Sequence, residues 1–238
     1  MSPRAAHAVS RFGLASSVSG LASSRAAVAQ WAVATGALLS LLSGGCAFVG
    51  TGDGEVHSDS LFVHDCWGGS YDLEPDFFAA VPFRDTLQIR VQHGSDLQEV
   101  SDGLAVMVNG VTPIRASSLG APLAVGLSPQ LIEDIAPGAP QSAPPPVSMA
   151  LYLQFSCHNQ NAVLYAIDGT ITFDALFSGD PNEDVGAEKL TDASFDVTMA
   201  DPRDALPGTL DVPAEKSSRV AGRFKFHFQR GQPGQPFP

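Results

Sequence analysis

The sequence predicts an all-β body: an antiparallel β-sandwich of about eight or nine strands with one short helix, preceded by an export signal. Three observations carry that reading. Several segments alternate apolar and polar residues at the two-residue period of a half-buried strand, among them Leu87–Gln92, Ala193–Met199 and Arg223–Arg230. Clusters of Gly, Pro, Asn and Asp separate these segments at short intervals. Only Ser128–Asp134 has a helix signature, with Ser128 as cap and Pro129 at the first position.

Taken in order, Leu61–Val63 opens the body as a short strand. Trp67–Ser70 reads as a turn, and Tyr71–Phe78, which contains Pro75, reads as an irregular segment whose aromatics plug one end of the core. Leu87–Gln92 should be half-buried. Gly103–Val108 is apolar at nearly every position, so it should be a central strand covered on both faces. Asn109-Gly110 follows, the strongest short hairpin signal, which predicts a return along Val111–Ile114 with Pro113 confining that strand to an edge. Pro122–Leu127 is a further short strand.

Residues Ala136–Pro146 hold five prolines and form a long connection within one domain. Ser148–Cys157 alternates with Leu151, Leu153, Phe155 and Cys157 on one face. In Ala162–Ala175, Val163, Tyr165, Ile167, Ile171 and Phe173 share one parity, as in a long strand with a bulge at Gly169; Asp168-Gly169 could equally be a hairpin. Ser178–Glu188 is an acidic loop, and Asp201–Ser218 is a loop rich in Pro and charge. In Arg223–Arg230, Phe224, Phe226 and Phe228 face inward. No repeat indicates a propeller or solenoid.

The stretch before the body sets its compartment. The leader contains Arg4, Arg11 and Arg25 and no acid; the first acid in the chain is Asp53. An apolar segment, Ala26–Leu42, follows. It is shorter than the roughly 20 strongly apolar residues a spanning helix needs. Leu41-Leu42-Ser43-Gly44-Gly45-Cys46 resembles the lipobox of bacterial lipoproteins, with Ser43 where that family has Leu. The resemblance implies that residues 1–45 are a signal peptide and that Cys46 is lipidated and becomes the new N-terminus. Ala47 after it implies the outer membrane. Periplasmic release or secretion after ordinary cleavage, and an uncleaved anchor, are the alternatives. Residues 46–60 then read as a flexible tether, 61–230 as a single sandwich domain, and 231–238 as a Pro/Gly-rich tail.

The chain carries a formal net charge of −12. All its acids follow position 52, so loss of the leader makes the body more acidic still. That disfavours nucleic acid as a partner and leaves membrane contact to the lipid anchor. With Cys46 lipidated, Cys66 and Cys157 form an even pair in an oxidising compartment, for which a disulfide is the default. The alternatives are free thiols and a zinc set of Cys66 and Cys157 with His64 and His158. Asp180, Asn182 and Asp184 have calcium-loop spacing, but Val185 occupies the position that needs Gly, so a solvated acidic loop is the plainer reading.

Hydrolase and nucleotide motifs (G-x-S-x-G, H-E-x-x-H, C-x-x-C, G-x-G-x-x-G) are not found, no catalytic residue is assigned, and no cofactor is implied. The chain resembles the uncharacterised lipoproteins of Gram-negative envelopes. The function expected is a non-enzymatic binding or interaction module, with an envelope protein or a glycan as partner. The alternative is a hydrolase or carbohydrate-binding sandwich with a loop-built site.

Overall fold

In a computed structural model the chain divides between Gly45 and Cys46. The structure describes residues 52–94, 101–139, 143–158, 160 and 162–229. The readings of the signal segment, of Cys46 and of the tail lie outside these. No helix among the described residues is long and apolar enough to cross a membrane.

The described body is antiparallel β. Its strands are β1 (Gly52–Val63), β2 (Trp67–Leu73), β3 (Phe77–Phe83), β4 (Thr86–Gln92), β5 (Asp102–Asn109), β6 (Pro122–Ala124), β7 (Val147–Leu153), β8 (Val163–Ala175), β9 (Leu190–Ala200) and β10 (Ser217–His227). Helix α1 (Val111–Ser117) follows β5, and α2 (Pro129–Ile135) follows β6. All ten strands belong to one sheet in the order β2-β1-β10-β9-β8-β7-β5-β4-β3, with β6 added beside β8.

The sheet curls. Its two edge strands, β2 and β3, are successive in the chain and are linked only by Glu74–Asp76, so its ends return toward each other. Phe78 of β3 stacks on Phe226 of β10 with ring centroids 5.7 Å apart. Tyr71 of β2 reaches Asp102 at the start of β5, six places away along the sheet. One apolar cluster fills the hollow, drawing on β1 through β5 and β7 through β10. Alternation explains which residues enter it: Leu87, Ile89 and Val91 from β4, Leu104, Val106 and Val108 from β5, Ala193, Phe195, Val197 and Met199 from β9.

The opposite face differs from one half of the sheet to the other. On β1, β9 and β10 it is wet and laced with ion pairs: Arg223 with Glu55 at 2.9 Å, Lys225 with Asp192 at 2.6 Å, and Arg219 with Asp196. On β4 and β7 it is buried. Arg90, expected to face water, is 2% exposed, and its guanidinium lies 5.1 Å from the centre of the Tyr152 ring. Gln92 is fully buried and accepts a hydrogen bond from Tyr152 Oη at 2.8 Å.

Several sequence expectations are corrected. Residues 52–60, read as tether, are the first part of β1, so the folded body begins at Gly52 rather than Leu61. They pair with β10 along Gly52–His57, which supplies ladder bonds that no local composition signals. Trp67–Ser70 is not a turn but the start of β2; the turn is His64–Cys66. Tyr71–Phe78, read as irregular, instead divides between β2, which holds Tyr71–Leu73, and β3, which begins at Phe77 and places Pro82 on a sheet edge. The last strand is Ser217–His227 rather than Arg223–Arg230, and Phe228 follows it, stacked on Phe177 at 4.1 Å.

Asn109-Gly110 does not make a hairpin. Gly110 is left-handed, with φ 76°, and begins α1, which has no side-chain cap of its own. Asp85, from the β3–β4 turn, takes that role: its carbonyl accepts from the N–H groups of Gly110 and Val111, and its carboxylate accepts from Thr112 N at 2.9 Å and Thr112 Oγ1 at 2.7 Å. Those Thr112 bonds, the backbone N–H first, hold the Asp85 pKa below its ordinary value. The second helix matches its sequence signal, with Ser128 Oγ accepting from Leu131 N at 3.3 Å.

Strand β8 runs unbroken through Asp168-Gly169, so that pair is not a hairpin. The pairing shifts register between Ala166 and Asp168, and the inward parity changes there. Leu164 and Ala166 face the core before the shift, Ile171 and Phe173 after it. Tyr165 and Ile167, expected inside, instead line a small apolar pocket with Leu127 and Ile135. Gly169 has φ 114°, and a Cβ there would collide with the Asp196 carbonyl and the Val197 backbone. Gly169→Ala is therefore expected to cost on the order of 2 kcal/mol or more, read as a lower urea midpoint, while Gly120→Ala, which meets no neighbour, should cost less.

Candidate functional site

The end of the body away from Gly52 is built from two turns. His64–Cys66 joins β1 to β2, and the segment after Leu153 joins β7 to β8. Cys66 and Cys157 sit in these turns at disulfide distance, with Cα atoms 5.9 Å apart. The bridge closes a separation of 91 residues, which constrains the unfolded chain by about 4.6 kcal/mol in the entropic account. Gln160 Nε2 also donates to the His64 carbonyl at 3.0 Å.

His64 turns away from the sulfurs. Its Nδ1 lies 2.9 Å from Asp204 Oδ1, which also accepts from Lys216 Nζ at 2.8 Å. Burial opposes ionisation of Asp204, but Lys216 and His64 outweigh it and hold its pKa below 3.8. His158 is exposed. Cys66, Cys157, His64 and His158 therefore do not assemble as a zinc set, and no group of three or more His, Cys, Asp or Glu among the described residues is placed to hold a metal ion. The calcium-loop residues are taken up in local turns: Asp180 Oδ1 accepts from Asn182 N at 2.8 Å, and Asp184 is exposed.

Beside the paired cysteines lies a cleft of about 600 Å³. One wall is β2, from Trp67 through Leu73, continued by Glu74. The other comes from His93 and Gly94 after β4, Ser101 and Asp102 at the start of β5, and Phe155 and Ser156 after β7. The curl of the sheet makes this site, because it sets the free edge of β2 opposite the ends of strands far from it in sheet order.

Asp102 holds the two walls together. It is 6% exposed and takes every bond from a neutral donor. Its Oδ1 accepts from Phe155 N at 2.9 Å and Ser156 N at 3.0 Å; its Oδ2 accepts from Tyr71 Oη at 3.3 Å and from Ser156 Oγ. Burial, and then the Asp102 charge, raise the Tyr71 pKa, which keeps the phenol protonated as a donor. Burial likewise pushes Tyr152 up to about 12 against the lowering effect of Arg90. Around Asp102 stand Trp67, meeting Tyr71 edge-on at 5.9 Å, and Phe155, which is 69% exposed at the rim. Phe155 was expected inside; β7 ends at Leu153, so the alternation stops before it.

The Ser156 hydroxyl faces a carboxylate with no histidine between them, and His93 lies 3.9 Å from Asp76 rather than against Ser156 or Asp102. The sequence reading missed the cleft residues Trp67, Tyr71, Glu74, Asp102 and Phe155. The one signal present was the acid Asp102 set directly before the apolar run Gly103–Val108, a position that becomes buried once that run is central. Comparison with known proteins finds no matching family model, no matching curated protein and no matching solved structure.

Two measurements test these contacts. Asp102→Ala removes the acceptor of four donors, so it should lower stability by about 2–4 kcal/mol in urea, whereas Glu74→Ala, on an exposed carboxylate, should change it little. His57, flanked by Asp59 at 2.9 Å and Asp72 at 2.6 Å, has its pKa raised above 6.5 by those carboxylates, Asp59 first. A raised pKa means the folded state binds the proton more tightly. The stabilisation is therefore present below pH 6.5 and disappears as pH rises through the folded value. The stability curves of wild type and His57→Gln should accordingly converge on the alkaline side.

Proposed function

We propose that this chain is an envelope lipoprotein, held at the outer membrane by acyl chains on Cys46, whose body is a non-enzymatic binding module with the cleft as its site. The cleft carries the reading. Its volume falls in the range of roughly 300–1,000 Å³ typical of ligand sites, and it is walled by aromatic rings and a few converging polar groups. Its one buried carboxylate has its oxygens filled by neutral donors, which favours fixed geometry over proton transfer. We read the curled sheet as the two layers of a sandwich, β2-β1-β10-β9 against β7-β5-β4-β3. The Phe78–Phe226 stack and the Tyr71–Asp102 bond between these halves support it.

Two attached acyl chains give stable anchoring where one is marginal. The lipobox-like run Leu41–Cys46 and the acid-free leader support that anchor. Radiolabelled palmitate should enter the wild-type chain in native membranes and fail to enter Cys46→Ser; equal labelling of the two rules the anchor out.

A further inference from the structure

The β2 wall of the cleft indicates what kind of ligand fits. Among the described residues β2 pairs with β1 on one side and with no strand on the other, so its outer edge offers main-chain donors and acceptors to the cleft. The opposite edge strand, β3, carries Pro82, a usual guard against strand addition; Trp67–Leu73 contains neither Pro nor Lys.

The charge of the cleft is one-sided. Asp72, Glu74 and Asp102 line it, and among the described lining residues only His93 is basic. Among the described residues Glu74 has no cationic partner, Asp72 is bonded to His57, and Asp102 is met by neutral donors alone. Phe155 and Trp67 add ring faces of the kind that attract ammonium and guanidinium groups.

We propose that the cleft binds an extended, basic segment of a partner polypeptide, lying along β2 as an added strand and setting Lys or Arg side chains against Glu74 and Asp72. The inference rests on reading the cleft as the binding site and deepens it. Main-chain pairing with β2 supplies affinity, and the acidic and aromatic walls select the side chains. A neutral glycan could stack on Phe155 but would leave Glu74 without a counter-charge, so it is the poorer fit.

The test uses the full chain in detergent and a fluorescein-labelled peptide of alternating Lys and Val, followed by anisotropy. The expected result is saturable binding to one site. Asp72→Asn/Glu74→Gln should weaken it roughly tenfold or more, the size of a lost charge-assisted contact. Asp174→Asn/Asp184→Asn removes the same charge from exposed positions elsewhere and should leave binding within about twofold, as for screened distant charges. N-methylation of alternate peptide nitrogens should abolish binding, because it blocks the strand ladder. Equal weakening in the two double variants, unchanged binding of the methylated peptide, or no binding at all overturns the proposal. Binding of cellohexaose that is lost in Phe155→Ala, with none of the peptide, keeps the cleft as the site and overturns the ligand class. If neither probe responds to the cleft variants, the cleft reading fails as well.

Discussion

A sheet of ten strands with one apolar face cannot leave that face in water, and among the described residues no second, separate sheet covers it. The sheet solves this by curling onto its own side chains, and the rest of the body follows. Burying apolar area at roughly 25 cal/mol per Å² is the largest favourable contribution available to such a chain. It forces the ends of the sheet toward each other, which puts Phe78 against Phe226 and Tyr71 within reach of Asp102. The cleft is the part of that closure where the described side chains do not fill the gap. Its position is therefore a consequence of core burial, and its lining comes from strands that are neighbours in space but not in the ladder.

Curvature also sorts the outer face. The half containing β1, β9 and β10 faces water, and its cations and acids sit opposite one another (Glu55 and Arg223, Asp192 and Lys225) or on the diagonal (Asp196 and Arg219), each pair of modest value because it is screened. The half containing β4 and β7 places Arg90, Gln92 and Tyr152 out of solvent, where polar groups must be bonded or stacked to be tolerated. Tyr152 serves both needs: its ring underlies the Arg90 guanidinium, and its hydroxyl donates to Gln92.

What the residues alone revealed depended on how local the deciding contact is. Ser128 and Pro129 mark a helix start because the cap bonds an N–H only three residues on. The alternation of β9 is legible because both of its faces obey one rule along the whole strand. Asn109-Gly110 misleads because its fate is decided by Asp85, a residue of another turn. The parity of β8 fails because a register shift between Ala166 and Asp168 exchanges its two faces, and nothing in the composition marks that the shift falls before Asp168 rather than at Gly169. The Cys66–Cys157 pairing was accessible by counting thiols. The cleft was not, since Trp67, Glu74, Asp102 and Phe155 converge only through the curl.

The early start of β1 changes the picture of any anchor at Cys46. Strand pairing is already under way at Gly52, so residues 47–51 are all the chain that separates it from the cysteine. Fully extended, that span reaches at most roughly 20 Å. A body moored so closely could not roam on a long leash; it would search only a thin shell of space above the lipid headgroups, and whatever it meets would have to come down to that level.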